Sequence, residues 1–204
     1  MSRPIDILMK EHRVIEQVLD SLETFAARVR RGADVPRDPI GRYAEFFAQF
    51  ADRCHHGKEE DLLFEALRRH GLPESTGPIH CMLREHDMGR ALVREMASIG
   101  AGAGALTADE RERLCSAADQ FTMLLRLHIR KEDHILFRLA DQTLPADEIE
   151  RLDRAFDKFE TEEMGDGLHD RLHTIAAHLV QQYPPDADHP EVATAGSEAR
   201  EAPQ

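Results

Sequence analysis

Two stretches of this 204-residue chain pair an imidazole with a carboxylate one helical turn apart: "HHGKEEDLLF", residues 55–64, and "HIRKEDHILF", residues 128–137. Residues four apart are neighbours on a helix surface, so His55 with Glu59 and His128 with Glu132 each present a nitrogen and an oxygen on one face. Such a pair offers a cation a terminal nitrogen and a bridging oxygen. Upstream of each stretch lies a second match, "LMKEHRV" at 8–14 and "MLREHDM" at 82–88, which sets His12 over His86. The first half of this region therefore repeats as the second.

Helical phase separates the inward residues from the rest. One turn back and one turn forward from His55 and Glu59 lie Phe47, Ala51, Leu62 and Ala66, an apolar face, whereas the same steps from His56 and Glu60 meet Glu45, Gln49 and Asp52. His55 and Glu59 are therefore expected to point inward, and His56 and Glu60 outward. His128 and Glu132 fall between Phe121, Leu125 and Ile135 or Leu136. His86 is in phase with Ile79, Leu83 and Val93, and His12 with Ile5, Leu8, Ile15 and Leu19. Lys58 and Lys131 recur beside these residues and read as solvated charges. The three cysteines, Cys54, Cys81 and Cys115, have no CxxC spacing and read as small buried hydrophobes.

The elements that must position these groups follow from the same periodicity. One apolar stripe runs from Ile5 to Val29. A second helix spans about 39–70, a third about 79–99, and a fourth opens at the capping-box pair Thr107 and Glu110 and runs to about Asp141. Four helices with short connections predict an all-α protein, an up-down-up-down four-helix bundle over 1–142. Two further helices over 143–183 form a C-terminal extension packing on it, and a Pro- and acid-rich disordered tail fills 184–204, with His189 idle in it. In such a bundle His12, His55, His86 and His128 lie at similar depths, so all six groups can meet in one layer.

Two buried carboxylates without compensation cost several kcal/mol each. A metal supplies that compensation, and mixed imidazole and carboxylate ligation with open positions favours iron or manganese over closed structural zinc. The competing reading is a metal-free hydrogen-bond network inside a helical interaction protein. Composition narrows the partners: 26 Lys and Arg against 39 Asp and Glu give a net charge of −13, which repels nucleic acid and anionic membranes. The N-terminus reads as neither signal peptide nor membrane span, so a cytoplasmic protein is expected, a monomer or weak homo-oligomer.

His12, "HHGKE", Glu85 with His86, and "HIRKE" resemble the hemerythrin-like HHE cation-binding family over roughly residues 4–141. The resemblance implies a non-haem di-iron centre, oxo- and carboxylate-bridged, with manganese as the alternative metal. Glu59 and Glu132 would bridge, and His12, His55, His86 and His128 would be terminal ligands. Oxygen carriers of the family resemble a five-His arrangement with two His a turn apart on the third helix, where this chain has Arg90 and Met82. The six-ligand pattern is more similar to branches that repair iron centres, respond to nitric oxide or handle peroxide. The expected small molecules are hydrogen peroxide, dioxygen or nitric oxide. The expected function is a catalase-like or other redox reaction in oxidative or nitrosative stress defence, or non-catalytic sensing or iron donation. In the extension, Glu163, His169 and His173 offer a seventh ligand or, preferentially, a supporting role around the centre.

Overall fold

The computed structural model describes residues 1–162, 165 and 167–185, and among these every regular element is helical. Helix α1 (Arg3–Arg30) begins with Pro4 in its first turn, where a missing N–H costs nothing. Helix α2 occupies 38–69 and changes its winding along the way. It is α-helical over Asp38–Phe46, π-helical over Phe47–His56 and again over Glu59–Leu63, and α-helical over Phe64–Arg69. Helix α3 is Gly77–Gly100. Helix α4 occupies 108–143, with a π-helical stretch at Glu132–Leu136 inside it, and its capping box forms as expected, Thr107 accepting from the Glu110 N–H. The extension consists of α5 (Ala146–Glu162) and α6 (Leu168–Gln182). The expected tail at 184–204 lies almost wholly outside the described residues, as does Glu163.

The core is divided in two. One apolar cluster gathers Ile15, Leu19, Phe25, Phe47, Phe50, Phe121 and Leu125 with their neighbours. The other gathers Ile5, Leu8, Leu63, Phe64, Ile79, Met82, Leu136 and Phe137. The second cluster thus collects the starts of α1 and α3 and the ends of α2 and α4. Ser2 ties two of these ends together, its hydroxyl donating to Asp141 at 2.6 Å. Between the clusters lies a layer of buried polar residues: on α1, for example, His12 sits between Leu8 and Ile15.

The extension spans both clusters from outside the layer. Leu152 and Phe156 of α5 enter the second cluster, and Leu172, Ala176 and Leu179 of α6 enter the first. Burial of these side chains, about 1.5–3 kcal/mol for a fully buried Leu or Phe, holds the extension down. One polar tie fixes its far end, where Ser21 donates to the Leu179 carbonyl at 2.9 Å.

Candidate metal centre

All six residues singled out by spacing and phase converge in the polar layer. His12, His55, Glu59, His86, His128 and Glu132 are each at most 1% exposed. Glu59 directs one oxygen to His55 Nε2 and the other to His86 Nε2, both at 3.5 Å. Glu132 directs one oxygen to His12 Nε2 and the other to His128 Nε2, both at 3.2 Å. The carboxylates therefore span two centres, one between His12 and His55 and the other between His86 and His128, whose Nε2 atoms are 3.1 Å apart. The repeat extends to the packing: Phe137 stacks on His12 at 5.4 Å, and its counterpart Phe64 stacks on His86 at 6.0 Å.

His56 joins this layer, contrary to the outward direction expected of it. It is 6% exposed, its ring lies flat on His86 at 3.8 Å, and it groups with Glu59, His86 and His128 as a set able to hold a metal ion. The matching set at the other centre is His12, His55, Glu59 and Glu132. The reason lies in the winding. Both His55 and His56 belong to a π-helical stretch, whose i→i+5 bonding widens the turn, so consecutive side chains diverge less around the axis.

Every imidazole of the layer also meets a carboxylate on its other nitrogen. The Nδ1 of His12 faces Asp133 at 2.8 Å, that of His55 faces Glu11 at 2.8 Å, that of His86 faces Glu60 at 2.6 Å, and that of His128 faces Glu85 at 2.9 Å. A carboxylate accepts, so Nδ1 carries a proton and Nε2 is the nitrogen turned inward, the one a metal would take once it displaces any second proton. Each carboxylate is anchored in turn by a cation: Glu11 by Lys58, Glu85 by Lys131, Asp133 by Arg13 and Glu60 by Arg90.

This arrangement overturns the solvated reading of Lys58, which is 0% exposed, and of Glu60, whose carboxylate holds His86 rather than facing only solvent. Lys131 is half-buried and paired. The signal for these anchors was present in the repeat, which preserves "KE" and "EH" in both halves. Cys54 and Cys115 are buried as expected, but Cys81 is half-buried and donates to Glu85 at 3.3 Å.

His169 and His173 are not part of the layer. Their rings lie 4.5 Å from each other and pack on Phe50 at 5.7 and 5.3 Å. Among the described residues of the extension, Glu160 accepts from Lys58 Nζ at 3.0 Å. Glu160 shares the stretch of Glu163, His169 and His173, for which the sequence suggests a seventh ligand or a supporting role.

The electrostatics of the layer are those of groups waiting for positive charge. Burial, reinforced by the facing Glu132, pushes the Glu59 carboxyl well above its ordinary range. Burial would raise Glu132 too, but the His128 and His12 imidazoles outweigh it and hold it well below. Burial keeps His55, His56 and His86 neutral, helped by their neighbouring imidazoles. For His128 burial is overcome by Glu132 and Glu85, which raise it to about 9. The geometry does not satisfy these groups: His12 Nε2, His55 Nε2 and all four oxygens of Glu59 and Glu132 are buried without an aligned hydrogen bond. Buried polar atoms are normally paired. Six without an aligned hydrogen bond, converging on one layer, fit a ligand set for metal cations.

An apolar cavity of about 130 Å³ leads to the second centre, lined by His56, His86 and His128 together with Ala51, Gly89 and Phe121 among others. No helix of the described residues is long and apolar enough to cross a membrane.

Comparison with known proteins agrees with this geometry. The chain is 21% identical over 159 residues to an uncharacterized protein of Mycobacterium bovis and to one of Mycobacterium tuberculosis (strain H37Rv), an alignment covering 78% of this chain. It spans only 62% of the length of those relatives. No solved structure matches. Residues 3–140, which carry the whole layer, match the Hemerythrin HHE cation binding domain, and the chain belongs to that family.

Proposed function

We propose that the protein is a non-haem di-iron protein that binds or transforms a small oxidant or gas (hydrogen peroxide, dioxygen or nitric oxide) in oxidative or nitrosative stress defence. Residues 1–142 form an up-down-up-down four-helix bundle with the centre at mid-depth, and 143–183 an extension that covers one side of it. His12 and His55 would hold one iron, His86 and His128 the other with His56 beside them, and Glu59 and Glu132 face both positions. The observation that carries this reading is the set of six buried ligand atoms without an aligned hydrogen bond, on carboxylates and on imidazoles whose outer nitrogens are each held by a carboxylate. Bound iron supplies the redox equivalents. The protein orients the imidazoles, excludes bulk water, and offers small molecules a path through the apolar cavity. The protein acts in the cytoplasm, consistent with its free cysteines.

The test is iron content per chain together with the ultraviolet-visible spectrum before and after adding hydrogen peroxide under air. Two irons with oxo-bridge absorption and catalytic oxygen release are expected of the peroxide-handling form of this function. Two irons without turnover would assign the protein to gas binding or sensing, and no metal after iron-replete expression would overturn the proposal.

A further inference from the structure

The internal repeat breaks at His56. His55 corresponds to His128 and Glu59 to Glu132, but His56 stands opposite Ile129. It is therefore the one imidazole of the layer with no counterpart in the other half, and the two centres cannot be equivalent. On the His12–His55 side the extension lies over the buried Lys58, which pairs with Glu11, the partner of His55, and with Glu160, and sits over the Phe156 ring. The His86–His128 side opens to the apolar cavity, and His56 stands in its wall.

His56 is also the most loosely tethered imidazole. Its Nδ1 lies 3.3 Å from Asp52, against 2.6–2.9 Å for the other four imidazole–carboxylate pairs. Asp52 sits at the rim, partly exposed, and is held in place by the Arg90 guanidinium at 2.8 Å. A swing of the ring outward thus shortens the bond to Asp52 toward the usual 2.7–3.2 Å instead of breaking it. No comparable movement is open to His55, whose carboxylate partner Glu11 is fixed by the buried Lys58.

We propose that His56 is an exchangeable ligand guarding the cavity-facing centre. Its ring completes that centre while the cavity is empty and turns toward Asp52 when a small anion or diatomic enters, so added ligands bind on the His86–His128 side. The exchange breaks one bond from the His56 nitrogen and forms one from the incoming ligand; no electron moves, and the Nδ1 proton stays on its bond to Asp52. The inference rests on the di-iron reading, which iron content tests separately.

The experiment loads wild-type, His56→Ala and His56→Gln proteins with iron, measures iron per chain, and follows azide binding to the oxidised centres by stopped-flow absorbance. Both variants are expected to retain two irons and to bind azide about tenfold faster, as when an open arrangement populated about one part in ten becomes the only one. Loss of one iron per chain would make His56 an indispensable ligand, and unchanged azide kinetics would show that its ring bars nothing; either result overturns the proposal. Wild-type protein without iron would overturn the di-iron reading and this one with it. Gly89→Val tests the route, because a Cβ there meets only Phe121 at 3.6 Å while it narrows the cavity. Slower azide binding at unchanged iron content is expected, and an unchanged rate would overturn entry through the cavity.

Discussion

The Phe159 ring lies so close over Gly57 that a Cβ on Gly57 would come within 2.8 Å of its Cζ. Gly57 is the middle residue of "HHGKE", and the matching position of the repeat carries Arg130. The extension is thus docked against the backbone that carries His55, His56, Lys58 and Glu59, and one residue without a side chain makes room for it. Gly57→Ala forces the ring to move, and overpacking of this kind costs about 1–3 kcal/mol. The expected result is a lower melting temperature that Phe159→Leu restores in the double variant. Additive losses in the double-mutant cycle would refute the contact.

Lys58 and Lys131 occupy matching positions but differ in burial, 0% against 35% exposed at the side chain. Lys58→Met leaves Glu11 buried without its cation, and removing one partner of a buried pair costs about 3–5 kcal/mol. Lys131→Met removes a half-exposed partner of Glu85, for which about 1 kcal/mol or less is expected after solvent screening. Urea unfolding of the metal-free proteins measures both. Equal losses would mean that the extension adds nothing to the Lys58 pair.

Most of the positions were legible before the structure because the repeat and the apolar phase agree. Where the chain winds as a regular α-helix, the phase argument holds, and Ile5, Leu8, His12 and Ile15 share one buried stripe. Where the winding widens it holds for His55, Glu59 and Glu132, which are buried as expected, but not for every neighbour. In the π-helical stretch at Glu132–Leu136, Leu136 is buried and Ile135 is 59% exposed, a choice the sequence pattern left open. The π-helical Phe47–His56 turned His56 inward against the expectation. Nothing in residue type distinguishes a π turn from an α turn, because the bulge is imposed by the side chains that must meet in the layer. The carboxylates on Nδ1 of His12, His55, His86 and His128 come from other helices, so only the fold reveals those pairings.

Glu59→Gln separates metal binding from a metal-free network. Burial and the charge of Glu132 already favour the protonated form of Glu59 when no cation is present, and Gln mimics that form. The metal-free variant is therefore expected to melt at or above the wild-type temperature, while its iron content falls because an amide bridges two cations poorly. If Glu59→Gln keeps its full iron, Glu59 does not bridge.

Metal removal should loosen the layer before it unfolds the protein. The two apolar clusters on either side do not depend on cations, so the helices persist when iron is chelated. The layer between them then holds the buried, unpaired oxygens of Glu59 and Glu132, and its π-helical turns at Phe47–His56, Glu59–Leu63 and Glu132–Leu136 have the least to keep them wound. A ligand that binds only the folded state stabilises it by mass action, about 4 kcal/mol at a thousandfold excess over its dissociation constant. Chelation is accordingly expected to lower the melting temperature by several degrees or more. Amide hydrogen exchange should accelerate within those three stretches while α1 over 15–29 stays protected. Uniform acceleration along all helices would show instead that the cations hold up the whole fold.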